Sequence, residues 1–342
     1  MGLSGERVII FGGTGSLGRA LINRLNNRNQ LSIFSRDEAK HWTIKNQLNL
    51  LDNISFYVGD IRDFKRVKEV LEKSNPTIIM IASALKQVDT CEVSPLEGIK
   101  TNSIGANNIC EAVVELGERL QNLKSVLLVS TDKACAPTNV YGMSKSIAER
   151  IVTSYFSWNP KVKFVSVRYG NVLESRGSII PLFKYQVETR RKLTVTDKRM
   201  TRFMMTLKES IDLIEATLAD SASGEIWIPK IPALKIIDLA EIFSERFDIG
   251  IEIIGMRPGE KLHEDLISEP ESIRTKSSDK YFIIENSMIV NSISSSAELF
   301  TFSSNHNVLS KNTLESKLDK LGIFDMKNKD FVGREIEEIR TN

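Results

Sequence analysis

The chain has 342 residues, 41% of them hydrophobic, which is enough to bury the core of one large domain and a smaller one. Lysine and arginine number 46 against 44 acidic residues, a formal charge of +2, and no long basic run suggests a nucleic-acid partner. The cysteines, Cys91, Cys110 and Cys135, lack the spacing of a metal site or a disulfide framework, so we expect neither.

Membrane association is not expected from the sequence. A spanning helix needs roughly 20 apolar residues, whereas apolar runs such as 78–81 have the length of a strand. The first residues contain no apolar signal core, and Glu6 stands where a myristoylation signal has Ser or Thr. We therefore expect a cytoplasmic protein with no membrane span.

Short apolar runs alternate with longer segments of helical character through the first half of the chain. The predicted strands are 8–11, 31–34, 54–58, 78–81, 126–129 and 164–167. The helices predicted between them are 17–27, 37–50, 63–73, 95–120 and 140–158. This alternation predicts an α/β fold with a doubly wound parallel sheet of the Rossmann type.

The alternation weakens after about Val172, where turn signals such as Ile231-Pro232 become frequent. We expect residues 1–172 to form a Rossmann domain that binds NADP, with a later strand returning to it near 225–230. Residues 173–286 are expected to form a smaller mixed α/β lobe for the substrate. The pattern predicts no fold for the extension at 287–342.

A glycine-rich loop follows the first predicted strand. Gly12 would permit a tight turn, Gly15 would let backbone N–H groups approach a pyrophosphate, and Gly18 would allow close packing of a helix on the strand. A P-loop is the competing interpretation, but Arg19 and Ala20 stand where it requires Lys and Ser or Thr. The loop therefore predicts a dinucleotide site.

The end of the second strand indicates which dinucleotide is bound. NAD sites usually place an acidic residue here, whereas Arg36 suits the 2′-phosphate of NADP, with Ser35 and Lys40 as further contacts. The alternative is that Arg36 merely pairs with Asp37 or Glu38. We expect NADP.

The third strand ends at Asp60 and Ile61, which are placed to flank the adenine, although Asp60 as a simple turn cap is the alternative. The full predicted cofactor site comprises Gly12, Thr14, Gly15, Ser16, Leu17, Gly18, Ser35, Arg36, Lys40, Asp60, Ile61, Ala82, Lys86, Tyr141, Lys145 and Val172.

An acid, a base and a tyrosine–lysine pair lie within fifteen residues of one another. Thr131, Asp132 and Lys133 emerge at the carboxyl end of the predicted strand 126–129, where open α/β sheets bind ligands. Tyr141 and Lys145 share one helical face, where the ammonium would favour ionisation of the phenol. An exposed Tyr–Lys pair and a plain Asp–Lys ion pair are the alternatives. In this context the set predicts a catalytic site.

Short motifs run along the chain in the order GGTGSLG, SRDEAK, GDIRD, ALKQV, STDKA, YGMSK, RYGNV, SRGSIIP, TDKRMTRF, IPKIP and RPGEKLHE. In this order they resemble the extended short-chain dehydrogenase/reductases. From about residue 7 to 268 the chain is similar to the UDP-N-acetylglucosamine 4,6-dehydratases, in particular to soluble enzymes that invert C5.

The resemblance implies an NADP-dependent hydro-lyase acting on UDP-N-acetylglucosamine. Lys133 stands where relatives acting on dTDP-glucose have glutamate, and Tyr141 stands where membrane-bound retaining relatives usually have methionine. Both residues favour the inverting enzymes, with a retaining dehydratase as the alternative.

The resemblance also implies the role of each catalytic residue. Tyr141 would take the proton of the C4 hydroxyl, Lys145 would lower the pKa of Tyr141, and Thr131 would orient the hydroxyl. A neutral Lys133 would then remove the C5 proton while a protonated Asp132 donates to the departing C6 hydroxyl. We expect burial beneath the smaller lobe to produce both protonation states.

The same resemblance implies a channel for the UDP-sugar. Its expected residues are Lys86, Thr101, Asn171, Arg176, Thr196, Arg257 and Glu260, with backbone at Ile179 near the diphosphate and at Val172 near the nicotinamide. Arg202 and His263 are further candidates, each with a structural role as the alternative.

The chain departs from the family in one loop, where Gln87 replaces a histidine and Ile81-Ala82-Ser83 replaces His-Ala-Ala. No group required by the chemistry is lost. The family implies a homo-oligomer, either a dimer or a hexamer. Two rival functions remain: a UDP-sugar 4-epimerase, which has no use for Lys133 beside Asp132, and an NADP-binding regulatory protein, which needs no complete proton-transfer set.

Overall fold

A mostly parallel sheet lies at the centre of the protein. The computed structural model describes residues 2–47, 53–158, 160–173, 175, 177–288 and 299–326. In chain order its strands are β1 (Arg7–Phe11), β2 (Gln30–Ser35), β3 (Ile54–Val58), β4 (Ile78–Ile81), β5 (Ser125–Val129), β6 (Lys163–Val167), β7 (Asn171–Val172), β8 (Leu193–Val195), β9 (Thr201–Met205), β10 (Ile226–Pro229), β11 (Ala233–Lys235), β12 (Ile251–Ile253), β13 (Asp265–Ile267), β14 (Thr275–Ser277), β15 (Tyr281–Ile284) and β16 (Phe302–Ser303).

The α-helices are α1 (Ser16–Leu25), α2 (Glu38–Gln47), α3 (Phe64–Ser74), α4 (Val88–Val93), α5 (Pro95–Ile99), α6 (Gly105–Leu116), α7 (Val140–Ser154), α8 (Ile179–Glu188), α9 (Leu207–Asp220), α10 (Ile236–Phe247), α11 (Glu269–Ser272) and α12 (Lys311–Lys320). A π-helical segment spans Lys100–Ile104, and short 3₁₀ turns span Gly117–Leu120, Asp132–Ala134 and Tyr155–Ser157.

The main sheet has the order β14-β15-β10-β6-β5-β4-β1-β2-β3. Its strands from β3 to β10 are parallel, and β15 runs antiparallel to both β10 and β14. Successive strands are added on one side of β1 up to β3 and on its other side from β4 onwards. The carboxyl ends of β1 and β4 therefore leave a crevice of the kind in which doubly wound sheets bind ligands. The predicted doubly wound fold is confirmed.

Both faces of the main sheet are covered by helices. Along β1, Val8 and Ile10 pack into a core shared with α1 and α9, whereas Ile9 and Phe11 pack into a second core with α3, α6 and α7. This alternation follows from the two-residue repeat of a strand, and it explains why the strands read as continuous apolar runs.

A third core lies in the smaller lobe. Phe183 of α8 meets Phe243 of α10 edge to face, with ring centroids 5.6 Å apart. Leu314 and Leu318 of α12 are buried in the same cluster. The described part of the carboxyl-terminal extension therefore completes this lobe, while 289–298 and 327–342 lie outside the described residues.

The predicted domain limits need correction. The prediction gives the main sheet one strand from the range 173–286, near 225–230, and β10 lies there. The same range also provides α9, which packs on the face of the main sheet, and β14 and β15, which extend its edge. Pairing with β10 satisfies backbone groups that an edge strand would otherwise leave open. The lobe is thus built from segments on either side of α9 and β10.

One predicted helix is also wrong in detail, because 95–120 is divided among α5, the π-helical segment, α6 and a 3₁₀ turn. Within the π-helical segment, the Asn102 side chain accepts from Leu85 N at 2.8 Å and donates to Leu85 O and to Ser144 Oγ, each at 2.9 Å. The wider turn thereby fixes the 82–88 loop against α7. The last residues of the helix predicted at 37–50 lie outside the described residues.

No helix in the described ranges is both long and apolar enough to cross a bilayer.

Candidate active site

A cavity of about 760 Å³ opens at the carboxyl ends of the parallel strands. Every residue of the predicted cofactor site lines it, from the glycine loop to Val172. Of the predicted catalytic residues, Thr131, Lys133, Tyr141 and Lys145 also line it. Asp132 lies behind them and is only 1% exposed.

The glycine loop has the geometry of a dinucleotide cradle. Gly12 has a φ of +85°, and a Cβ there would lie 2.6 Å from the backbone nitrogen of Ser83. A Cβ on Gly18 would lie 2.4 Å from the carbonyl carbon of Gly13. Gly15 precedes α1 without any side-chain cap, so the first N–H groups of that helix are available to donate hydrogen bonds to a phosphate.

Buried hydroxyl groups in the same cavity also fit a polar ligand. Among the described residues, Ser83 Oγ, Thr101 Oγ1, Ser130 Oγ and Ser178 Oγ have no hydrogen-bond partner, and all four residues line the cavity. Buried polar atoms in native proteins are normally satisfied. The ribose, amide and phosphate oxygens of a bound dinucleotide or UDP-sugar would supply the missing partners.

The predicted cofactor residues at and after the end of β2 have different polar partners. Arg36 is half-exposed, and its Nη1 lies 3.7 Å from Asp60 Oδ2, so its acidic neighbour is Asp60, just after β3, rather than Asp37 or Glu38. Ser35 Oγ lies 2.8 Å from His41 Nε2. Lys40 Nζ pairs with Asp37 at 2.9 Å. Arg36 thus remains accessible to a ligand phosphate.

Lys133 is held between two buried carboxylates. Its Nζ lies 3.1 Å from Asp132 Oδ1 and 3.2 Å from Glu264 Oε1. Burial alone would lower the pKa of Lys133, but the charges of Asp132 and Glu264 outweigh burial and raise it above the ordinary lysine value. The expectation that burial makes Lys133 neutral is therefore wrong, because the two carboxylates favour its ammonium form.

Tyr141 is affected by a different lysine from the one predicted. Burial raises the pKa of Tyr141 to about 12, while Lys133 and a hydrogen bond with Thr131 act in the opposite direction. Lys145 instead donates to Val129 O at 2.7 Å. Burial lowers the pKa of Lys145 to about 8, against an opposing effect of Glu149. Lys133, rather than the predicted Lys145, is therefore the lysine among the main influences on the Tyr141 pKa.

The start of α7 fixes Tyr141 beside the 132–134 turn. Asn139 caps the helix by accepting from Gly142 N at 2.8 Å, and its amide also donates to Gly259 O at 3.0 Å. A Cβ on Gly142 would lie 2.2 Å from Lys133 O. The absence of a side chain there is what lets α7 approach the turn that carries Lys133.

The predicted substrate residues do not all converge. Lys86, Thr101, Asn171 and Val172 line the cavity, whereas Ile179, Thr196, Arg257 and Glu260 do not, and Arg176 lies outside the described residues. Thr196 Oγ1 contacts Met200 Sδ at 2.9 Å, and Arg257 Nη1 lies 3.4 Å from Asp89 Oδ2.

The two further substrate candidates, Arg202 and His263, form hydrogen bonds within the protein. Arg202 donates to the carbonyls of Lys261 and Leu262 at 3.0 and 3.1 Å. His263 Nδ1 lies 2.8 Å from Thr201 Oγ1. Both side chains therefore fix the 257–264 segment.

Sequence reasoning missed Glu264, which is 2% exposed and contacts Lys133 directly. The available signal was its place as the last residue of the RPGEKLHE motif. The cavity hydroxyls of Ser83, Ser130 and Ser178 were also missed, since serines at strand ends and loops carry no distinctive pattern.

Comparisons with known proteins give a consistent picture. The family model described as polysaccharide biosynthesis protein matches residues 8–286. The chain is 36% identical over 289 residues to the inverting UDP-N-acetylglucosamine 4,6-dehydratase of Campylobacter jejuni, covering 83% of this chain and 84% of that protein. It is 37% identical over 289 residues to the UDP-glucose 4-epimerase of Rickettsia rickettsii, covering 82% of each.

Among solved structures, the chain is similar to Pen from Bacillus thuringiensis with a TM-score of 0.86 and 34% identity, covering 94% of this chain and 99% of that one.

Gly142→Ala tests the close approach of α7 to the turn at 132–134. We expect it to destabilise the protein by about 1–3 kcal/mol or more, since the atom in the way is backbone and cannot rotate aside. Gly250→Ala is the matched control, because a Cβ there would only reach Lys192 Cγ at 3.8 Å. Denaturant unfolding measures both, and equal stability of the two variants would contradict the packing described.

Lys145→Met tests the burial of Lys145. At pH 7 the free energy of unfolding of the variant should be about 1–3 kcal/mol higher than that of the wild type. The variant is more stable because it has no desolvated ammonium in the native state. The difference should shrink as pH rises from about 8 towards the ordinary lysine pKa of 10.5, since folded Lys145 loses its proton in that window while the unfolded chain keeps it.

Unfolding of ligand-free protein at several pH values measures this difference, with Lys65→Met on the exposed surface of α3 as the control for removing an ammonium. A stability difference that does not change with pH would show that Lys145 titrates normally.

Proposed function

Because the chain belongs to the polysaccharide biosynthesis protein family, we propose that it is an NADP-dependent UDP-N-acetylglucosamine 4,6-dehydratase that inverts C5. The observation that carries the proposal is the contact of Lys133 with Asp132 at the end of β5, beside Tyr141. Similarity alone does not choose between dehydratase and epimerase, since relatives of both names match equally well.

The base and acid favour elimination over epimerisation. A 4-epimerase has to remove and return hydrogen at C4 only, so it needs no second base near C5. A dehydratase must also abstract the C5 proton and protonate the leaving C6 hydroxyl. Lys133 and Asp132, adjacent at the same strand end, provide one group for each task.

The cavity fits a nicotinamide dinucleotide through the glycine cradle, the helix terminus at Gly15 and the unpartnered hydroxyls. When bound, that cofactor would accept hydride from C4 and return it to C6, so it is not consumed overall. The residues that would hold it are those of the predicted cofactor site, with Lys145 and Tyr141 nearest the reacting end.

The proposed reaction balances as loss of one water. Tyr141 takes the C4 hydroxyl proton while C4 becomes a ketone, and Thr131 holds the hydroxyl in line. The ketone acidifies C5, Lys133 removes that proton, and Asp132 protonates the C6 hydroxyl as it leaves. Hydride addition at C6 and uptake of a solvent proton at the opposite face of C5 then give the inverted 4-keto-6-deoxy sugar. Tyr141 releases the proton that it took from C4 to solvent, which restores the site.

The structure imposes a condition on the proposed reaction. Pairing with Asp132 and Glu264 favours the ammonium form of Lys133, whereas elimination requires a neutral amine and a protonated carboxyl. Transfer of one proton from Lys133 to Asp132 creates both at once without changing the net charge of the cluster. Substrate binding, by excluding water and placing the C6 hydroxyl beside Asp132, would favour this transfer.

We propose that the enzyme is cytoplasmic, since its substrates would be a nucleotide sugar and NADP. We further propose a homo-oligomer, a dimer or a hexamer. Exposed apolar side chains on neighbouring α5 and α7, among them Leu96, Met143 and Ile147, support burial of that surface against another copy.

Incubation of the purified protein with UDP-N-acetylglucosamine in D₂O tests the function. We expect a 4-keto-6-deoxy product with deuterium at C5, detected by NMR and mass spectrometry. Inversion at C4 without loss of water would replace the proposal with an epimerase. Ligand binding without turnover would favour a regulatory protein. Ring-proton couplings of the reduced product made in H₂O report whether C5 is inverted or retained.

Cofactor choice is tested by Arg36→Ala. Because the guanidinium would bind the 2′-phosphate, the variant should bind NADP about ten- to a hundredfold more weakly and NAD almost unchanged. Isothermal titration with each cofactor measures this. Equal weakening for both, or a wild type that prefers NAD, would contradict the NADP assignment. Arg28→Ala, outside the cavity lining, serves as the control.

A further inference from the structure

Glu264 is a buried carboxylate in direct contact with the proposed base. It lies immediately before β13 and is 2% exposed. Its Oε1 is 3.2 Å from Lys133 Nζ, and its Oε2 is buried without a hydrogen-bond partner in the described parts of the chain. A buried carboxylate is costly unless it is paired, so its retention beside Lys133 requires an explanation.

The backbone around Glu264 is fixed from several directions. Glu264 N donates to Ser304 Oγ at 2.9 Å, and Ser304 N donates back to Glu264 O at 2.8 Å. Three residues earlier, Lys261 Nζ donates to Cys135 O at 2.8 Å, just after the turn that carries Lys133. The carboxylate therefore has a fixed position relative to the amine.

Among the described residues, the charged or titratable groups with the largest effect on Lys133 are Asp132, Glu264, Arg202 and Tyr141. Arg202 Nε is 4.0 Å from Glu264 Oε1, so this carboxylate is shared between two cations. Asp132 and Glu264 hold the ammonium from two sides, but Asp132 is committed to the leaving hydroxyl in the proposed reaction. Of these two carboxylates, Glu264 then remains as the partner of the amine.

On the basis of the proposed dehydration, we propose that Glu264 is a positioning residue for Lys133. Glu264 holds the neutral amine towards C5 and offsets the positive charge that the amine gains when it takes up the C5 proton. A neutral amine has two N–H donors and one lone pair. An N–H directed at Glu264 leaves the lone pair for C5. The side chain of Lys133 is otherwise flexible.

Glu264 also opposes loss of the Lys133 proton to bulk water. An opposite charge at this distance typically raises a lysine pKa by about 1–3 units, so release of the Lys133 proton to bulk water at neutral pH is unfavourable. Transfer to Asp132 avoids that release. The same carboxylate then makes the amine a stronger base in the step at C5.

The test compares Glu264→Gln with Glu264→Asp and with Glu269→Gln. Glu269 is an exposed carboxylate at the start of α11, shortly after Glu264 in the chain. The first readout needs no substrate: the pH dependence of Lys133 acetylation by acetic anhydride, followed by mass spectrometry. In Glu264→Gln the midpoint should fall by about one pH unit or more. Glu264→Asp and Glu269→Gln should remain closer to the wild type.

The second readout is turnover of UDP-N-acetylglucosamine. Glu264→Gln should slow water loss by about ten- to a hundredfold, shift the acidic limb of the rate profile to lower pH, and leave the formation of reduced nicotinamide little changed. Glu264→Asp should recover part of the rate. Thermal melting confirms that each variant is folded.

An unchanged acetylation midpoint in folded Glu264→Gln would overturn the proposal, as would equal slowing of C4 oxidation and water loss. If the wild type fails to dehydrate the sugar while the midpoint still shifts, the proposed function fails but the control of Lys133 by Glu264 stands. The two failures are thus distinguishable.

Discussion

The pairing of one lysine with two buried carboxylates is the interaction on which the rest of the site depends. Lys133 contacts Asp132 from its own strand end and Glu264 from the smaller lobe. The ammonium stabilises both buried carboxylates, but it cannot act as a base while it carries its proton. A proton that moves inside the cluster resolves both requirements, because the total charge is conserved.

The fold makes this cluster possible by joining two parts of the chain at one crevice. Parallel strands deliver Thr131 and Asp132 at their carboxyl edge, and the 257–264 segment crosses to the same place. A second buried network holds the arrangement: Arg168 donates to Glu149 of α7 at 2.6 Å and to Glu271 of α11 at 2.8 Å. It connects the helix carrying Tyr141 with the chain just beyond Glu264.

The sequence allowed the Rossmann half of the molecule to be predicted closely. Its strands are buried on both faces and read as uninterrupted apolar runs, and its cofactor loop needs glycines for steric reasons that hold wherever the turn occurs. The predicted cofactor residues accordingly line one cavity. Their role in binding NADP stays a prediction.

Features set by tertiary contacts could not be predicted. The π-helical segment depends on Asn102 reaching Leu85 and Ser144, which no periodicity reveals. The charge of Lys133 depends on Glu264, which is 131 positions distant in the sequence. Lys145 lies near Tyr141 on its helix, yet its ammonium donates to Val129 O. Spacing along a helix identifies neighbours but not which of them interact.

The most direct measurement follows the hydrogen at C5 in Lys133→Ala, using UDP-N-acetylglucosamine labelled with deuterium at that carbon. The account predicts that the wild type releases the deuterium to solvent, while the variant still oxidises C4 but retains the label and loses no water. Release of the label by the variant at the wild-type rate would show that another group is the base and would contradict the account.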